Sequence, residues 1–400
     1  MVALKGVLRK VETGWSPVCD SARPAMDEWG VLKLSAVTSG KFLASEAKRL
    51  PSEVLPRTAF EVRPGDVLMS RANGVKALVG VACTVNQVRS RLLLPDLVFR
   101  LIADSDVLDP GFLGIVLTSA AVRRQIEAAM RGTSGQYKVS QADVRALEIP
   151  RLPLSEQRDI VAAHEAFERR IGNLERVAQK RSTLLSAAVS ALLRSQDSSG
   201  ATLETMMISC DPGITLGAHR APQKRATGYL RVANVRMGWI DTSDVASLES
   251  TSNDRPRYEL EAGDVLVVEG HANPEQIGRA ALVGPVEEGL LYQNHLFRLR
   301  FDRDEVVPEF AMLWLNSEAV RSYWISRCAT SSGLYTINSK LLADAPFPVV
   351  PIEEQRKIVE TWRTGIRAVD SLHGQIAKLR TIQHGVIEDL LSGRSRVNRT

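Results

Sequence analysis

Two kinds of periodicity divide this chain of 400 residues. Short apolar runs, "DVLMS" at 66–70, "ALVGVACTV" at 77–85 and "DLVFRLIA" at 96–103, are rich in Val, Leu and Ile and bounded by Gly, Pro or Asn, which predicts strands. "PGFLGIVLTSAAVRRQIEAAM", from Pro110 to Met130, has the length and spacing of a helix, with Pro at its start and Gly132 just beyond its end. The rhythm then changes. From Leu154 to about Leu193 there is no proline and a single glycine, Gly172, and the seam steps by four and three through Ile160, His164, Phe167, Ile171, Leu174, Ala178, Arg181, Leu185, Ala188 and Leu192. The same steps return through Ile358, Trp362, Gly365, Val369, Leu372, Ile376, Leu379, Gln383, Val386 and Leu390. Heptad spacing sustained this long predicts a coiled-coil helix in each place. At about 1.5 Å per residue, roughly 40 residues make a rod of about 60 Å.

The second rod is a copy of the first. "PLSEQRDIV" at 153–161 returns as "PIEEQRKIV" at 351–359, a displacement of 198 residues. At the same displacement "GDVL" at 65–68 returns at 263–266, "FRL" at 99–101 returns at 297–299, and "LKLSAV" at 32–37 lines up with "LRVANV" at 230–235. "TSGQYKVS" at 133–140 lines up with "SSGLYTIN" at 331–338. Chance gives one such match, not a series at one offset, so the chain is a tandem duplication. Its fold class is α+β, with globular domains at 1–152 and 197–350, helical arms at 153–196 and 351–394, and a short tail at 395–400. Bulky Phe167 stands where the copy has Gly365, and small Ala178 where it has Ile376, which suggests that the arms fill each other's gaps as antiparallel partners; the alternative is that each arm packs on its own globular domain. Two domains related by a pseudo-twofold axis would follow, a dimer written in one chain.

Charge sharpens this picture. The chain carries +5 overall, but residues 1–150 hold 20 Lys/Arg against 15 Asp/Glu while residues 201–350 hold 14 against 19. A nucleic-acid partner is allowed, a uniformly basic clamp is not. Cys19, Cys83, Cys210 and Cys328 are far apart, with no CxxC pair, as expected of reduced cysteines in a cytoplasmic protein. The chain shows no signal-peptide pattern and no run of membrane-spanning length.

The tools of catalysis are missing from the letters. There is no GxxxxGK[ST] phosphate loop, no strand–GxGxxG–helix unit and no HExxH. The histidines, His164, His219, His271, His295, His373 and His384, are scattered, and none recurs at its partner position. "NPEQ" at 273–276 is the nearest approach to the Asn-Pro-Pro-aromatic motif of amino-methyltransferases, and it lacks the second proline and the aromatic. The balance is towards binding.

In this arrangement the chain resembles the specificity subunit of type I restriction–modification systems, in which two variable target-recognition domains alternate with two long helices. The Pro-x-x-Glu-Gln-x-x-Ile stretch that introduces those helices is met here by Pro153, Glu156, Gln157 and Ile160, then by Pro351, Glu354, Gln355 and Ile358. The Gly-Asp-Val-Leu blocks and Ser-Gly-x-Tyr loops also match, and the resemblance covers nearly the whole chain. It implies a non-catalytic subunit that binds an asymmetric two-part site on double-stranded DNA. It implies, as partners, two modification subunits that bind S-adenosylmethionine and methylate adenine, with up to two restriction subunits that use ATP and Mg. No cofactor or metal is expected on this chain itself. The arm entrances would serve as the partner contacts. Alternatives are a coiled-coil scaffold that pairs proteins without reading DNA, and an enzyme with its site in the strand-rich domains.

For DNA contact the candidates are of three kinds. The loop entering a helix supplies Ser134, Gly135, Tyr137, Lys138 and Ser140, and in the copy Ser332, Gly333, Tyr335, Asn338 and Lys340; a Gly-containing loop before a capped helix offers N–H groups to a phosphate. After "GDVL" the copies diverge, giving Arg71, Asn73 and Lys76 in one and His271, Asn273, Gln276 and Arg279 in the other, types that pair with base edges or phosphates. Lys224, Arg225, Asn234 and Arg236 complete the set in the acidic second domain.

Overall fold

The computed structural model describes residues 1–132, 135–196, 201–223, 226–331 and 333–396. The chain forms two compact units, one of Met1–Glu175 with Gly374 onward, the other of Arg176–His373.

In the first unit, strands Leu8–Thr13, Val98–Ala103, Val67–Ser70 and Ala82–Thr84 lie in that order in an antiparallel sheet. Alternation decides what each face covers, because successive side chains of a strand point to opposite sides. Val67, Met69, Phe99 and Leu101 enter one core with Phe112, Leu113 and Ile126, whereas Leu68 and Val98 enter another with Leu32, Val37 and Leu92. The second core lies by a smaller sheet of Ala47–Arg49, Gly30–Leu32 and Leu92–Leu93.

The second unit repeats this. Met207–Pro212, Leu296–Phe301, Val265–Val268 and Ala280–Leu282 form the larger sheet, and Val265 pairs with Leu299 as Val67 does with Leu101. One strand departs from the common offset. Glu12 pairs with Arg100 and Asp211 with Arg298, so equivalent residues there are 199 apart. The loop from Gly213 to Gly228 is one residue shorter than that from Gly14 to Gly30, which restores 198.

The single helix expected over Pro110–Met130 is two, Pro110–Val116 and Ala120–Ala129. Ser119 caps the second by accepting from the Val122 N–H, and Ser317 likewise caps Glu318–Arg327 after Pro308–Leu315 by accepting from the Val320 N–H. Likewise "ALVGVACTV" yields a strand only over Ala82–Thr84, because Gly80 turns the chain at φ 77°.

Both arms are unbroken helices, Leu154–Arg194 and Ile352–Ser392. Within the first unit Gln383 donates to Glu168 at 2.8 Å and Arg380 is ion-paired to Glu175, so numbers fall along one helix as they rise along the other. The arms therefore run antiparallel there. Within the second unit Gly365 lies under the Leu185 side chain, so the small residue answers Leu185 rather than Phe167. The heptad seam holds for Ile160, Ile171 and Ala178, then slips: Arg181 and Ala188 are exposed and Val189 is buried, and in the copy Ile387 replaces Val386. A straight α-helix drifts about 20° per heptad against a 3.5 repeat, so four heptads approach one residue's rotation. The slip has a use. Val189 and Leu193 enter the core of the second unit with Ile358 and Val359, and Ile387, Leu390 and Leu391 enter that of the first with Ile160. Each globular domain thus holds the start of one arm and the end of the other.

All four cysteines are free, and burial pushes the Cys83 thiol up to about 12 and Cys210 to about 11. Among the described residues no helix is long and apolar enough to cross a membrane.

Two outcomes follow for the arms. A Cβ at Gly365 would stand 2.3 Å from Leu185, whereas one at Gly172 would meet nothing within 4 Å. Gly365→Ala should lower stability by about 1–3 kcal/mol, from overpacking, and Gly172→Ala should raise it by up to about 1 kcal/mol, read as shifts of the urea midpoint. Burial also holds the half-buried His164 imidazole below its ordinary value, against the pull of Glu168 and Glu165. The folded chain then binds fewer protons than the unfolded one just below the unfolded value near 6.5. Stability should be full above about pH 6.5 and fall as pH drops below it, and His164→Leu should flatten that slope in thermal melts.

Candidate nucleic-acid interface

The structure joins two of the sequence-predicted segments. Ala72–Asn73 pairs with Tyr137–Lys138 as an antiparallel ribbon, Asn73 opposite Tyr137 and Ala72 opposite Lys138. In the copy Gly270–His271 pairs with Leu334–Thr336, His271 opposite Tyr335, and Ala329–Ser331 adds a third strand. The registers are equivalent residue for residue at the 198 offset. In the first domain Arg131 makes the matching antiparallel bridge to Lys138. A β-ribbon is a form that the major groove of DNA admits.

What the ribbons share is frame. Tyr137 and Tyr335 are half-buried, each packed against its own domain's core. Gly135 and Gly333, at φ 105° and 79°, turn the loop with open space around them. What differs is the exposed chemistry. The first ribbon carries Lys138 and, next to it, Arg131 and Lys76, where the second has Thr336, Ala329 and Pro274. Arg71 stacks its guanidinium 5.7 Å from the Phe99 ring centre; its equivalent is an acid, Glu269, whose carboxylate lies 3.1 Å from His295 Nδ1. That Glu269–His295 pair was not found from sequence. The inverted charge at one offset was the available signal.

Several candidates are occupied elsewhere. Asn234, 3% exposed, donates to the Asp241 and Asp244 carbonyls and accepts from the Arg231 N–H. Arg279, 4% exposed, donates to the Val235 and Val232 carbonyls and to Gln276. These side chains fasten a loop and cannot meet DNA, so both leave the candidate set. Asn273 caps the turn at Pro274–Gln276 by accepting from the Glu275 N–H. Ser140 and Asp143 form a capping box, each side chain accepting from the other's N–H, and Asn338 accepts from the Leu341 N–H. Each cap thus takes the third N–H of its helix, Asp143 or Leu341, and in the first copy the Ser140 N–H as well, out of the set offered to a phosphate by the sequence reading. Lys76, Lys138, Arg236 and Lys340 remain exposed, although Arg236 lies 3.5 Å from Asp241. Ser134, Lys224, Arg225 and Ser332 lie outside the described residues.

The arm entrances also change meaning. Gln157 is 2% exposed and Gln355 is fully buried. Gln157 donates to the carbonyls of Val107 and Leu152 and accepts from the Asp109 N–H. Gln355 donates to Glu305 and Val350 and accepts from Val307, every partner displaced by 198. Ile160 and Ile358 are buried in the domain cores, so these four residues tie the arm to its domain and present nothing to a partner. Pro153 and Pro351 stay exposed, and their carbonyls accept the first helical bonds from Gln157 and Gln355. Glu156 and Glu354 lie in the first turn, where the helix dipole favours acids.

A second buried set was missed. Arg100 lies 2.6 Å from Glu12 and 3.2 Å from Asp66, and it donates to the Glu61 and Ala59 carbonyls. Burial alone would raise the Glu12 carboxyl, but Lys10 and Arg100 hold it below its ordinary value. In the copy Arg298 meets Asp211 at 2.9 Å and Arg300 takes Asp264. The repeated "FRL" pointed to Arg100 and Arg298. Among the described residues no group of His, Cys, Asp and Glu could hold a metal ion.

No protein-family model matches the chain. The specificity subunit of the EcoKI type I restriction enzyme of Escherichia coli strain K12 is 22% identical over 93% of this chain and 82% of its own length. That of EcoEI, from Escherichia coli, is 34% identical over 40% of this chain, a stretch spanning 27% of that protein. A solved chain from work on complex assembly and conformational transition of the type I restriction–modification system superposes with a TM-score of 0.57. It covers 98% of this chain and 96% of that one at 18% identity, which shows the fold.

The buried glutamines give a direct expectation. Leucine at either place would leave one N–H and two carbonyls without their partner, at about 1–3 kcal/mol for a buried group so stranded. Gln157→Leu and Gln355→Leu should each destabilise the chain by at least about 2 kcal/mol in chemical denaturation. An exposed neighbour change, Arg158→Ala, should stay within about 0.5 kcal/mol.

Proposed function

We propose, from this chain's place among the specificity subunits of type I restriction–modification systems, that its two globular domains each read one half of an asymmetric, two-part DNA site. The observation that carries this reading is the pair of ribbons, equivalent in register and different in side chains. A scaffold that only paired proteins would have no use for such a difference, while two readers of unlike half-sites require it. Phosphate contacts would position each domain and the ribbon side chains would specify bases.

The chain is non-catalytic in this reading. The exposed faces of the arms carry two modification subunits, which bind S-adenosylmethionine and methylate adenine, and restriction subunits using ATP and Mg join them. The complex works in the cytoplasm, where its DNA is. Residues 201–350 hold five more acids than bases, so the second domain contributes little general attraction for phosphates.

Two measurements test this. Adenine methylation sequenced in a host with and without this gene should differ at one two-part motif; unchanged methylation with partner binding intact would contradict the reading. The purified chain alone should bind duplex DNA weakly, losing about tenfold or more in affinity between roughly 50 and 200 mM salt. A nanomolar complex insensitive to salt would contradict the division of charge between this chain and its partners.

A further inference from the structure

Asn73 and His271 occupy the same place on the two ribbons, and each has its acceptor atom tied down in the same way. Asn73 Oδ1 accepts from the Val75 N–H at 2.8 Å. His271 Nδ1 accepts from the Asn273 N–H at 3.0 Å. Both bonds join a side chain to the backbone two residues on, and both pairs stand at the 198 offset. A backbone N–H can only donate, so His271 Nδ1 carries a lone pair and the ring proton is on Nε2. Across the ribbon both face a half-buried tyrosine, Tyr137 or Tyr335, that belongs to the shared frame. Among the described residues no acceptor meets Asn73 Nδ2 or His271 Nε2, and both residues are part-exposed.

From this geometry we infer that Asn73 and His271 are the equivalent specificity-determining residues of the two domains, each offering a fixed N–H donor to a guanine edge of its own half-site. The inference rests on the DNA-reading function proposed above and adds the residue and the base. The tie matters because of what it fixes. Asn commonly grips adenine through N6 and N7, using its oxygen and nitrogen together. Here the Val75 N–H takes one Oδ1 lone pair and holds the amide, so Asn73 presents Nδ2 foremost, as His271 presents Nε2. Guanine sets two acceptors, O6 and N7, side by side in the major groove, so one N–H aimed at that edge meets an acceptor at either atom, whereas adenine offers N7 alone with its N6 donor beside it. The donor is also pre-aimed, so little rotamer freedom is lost when it binds.

The test is the adenine methylome of a host carrying the full system with wild-type chain, His271→Ala or Asn73→Ala. His271→Ala should relax one G·C position in one half-site and leave every letter of the other half unchanged; Asn73→Ala should do the reverse. Methylation at sites carrying the disfavoured base should rise about tenfold or more relative to the parent site. His271→Asn, which keeps both the acceptor for Asn273 and a free donor, should retain the G·C preference. Because both half-sites are needed for any methylation, the untouched half reports that the variant has folded. An unchanged motif in both alanine variants, relaxation at an A·T position, or a uniform fall in methylation with no altered letter would each overturn the inference while leaving the DNA-reading function standing. Failure of the wild-type chain to direct methylation to any two-part motif would remove that function, and the inference with it.

Discussion

One glutamine, used twice, sets the geometry on which the rest depends. Gln157 and Gln355 each bind three backbone groups at the mouth of an arm, and both lie within the cores they join. An amide can satisfy two acceptors and one donor at once, so it fixes the direction in which a helix leaves a domain as no apolar contact can. The helix then grows from a defined start, with a proline carbonyl before it and a buried isoleucine one turn on. Where the arm begins is where the domain ends, and neither can be moved alone.

The arms carry that constraint onward by drift. A strict coiled coil would keep its seam on the partner helix throughout. Here the apolar stripe follows the α-helical repeat, and by Val189 and Ile387 it faces a globular core instead. Each domain is closed by two helix ends from different copies. This is a firmer junction than a seam alone, because each domain core takes in residues of both arms.

Much of this was legible in the letters because duplication supplies its own control. A residue type repeated at one offset, such as Gln157 with Gln355 or Arg100 with Arg298, marks what the frame needs. A residue that changes, such as Arg71 to Glu269 or Asn73 to His271, marks what the frame is free to vary. The comparison could not say whether a repeated polar residue faces inward. Gln157 reads from sequence as a partner contact, and only its hydrogen bonds show it to be internal. Nor could it separate Arg279, spent on carbonyls, from Lys138, exposed on a ribbon. The break at Ser119 escaped because one apolar period runs through both helices. A cap is a local hydrogen bond that periodicity does not register.

The central claim is that a duplicated frame holds two different readers. It is tested most directly by making the readers the same. A chain in which residues 201–350 replace residues 1–150, expressed with its modification partners, should direct adenine methylation to a symmetric site in which one half recurs inverted. Methylation that keeps the parent asymmetric motif would contradict the account.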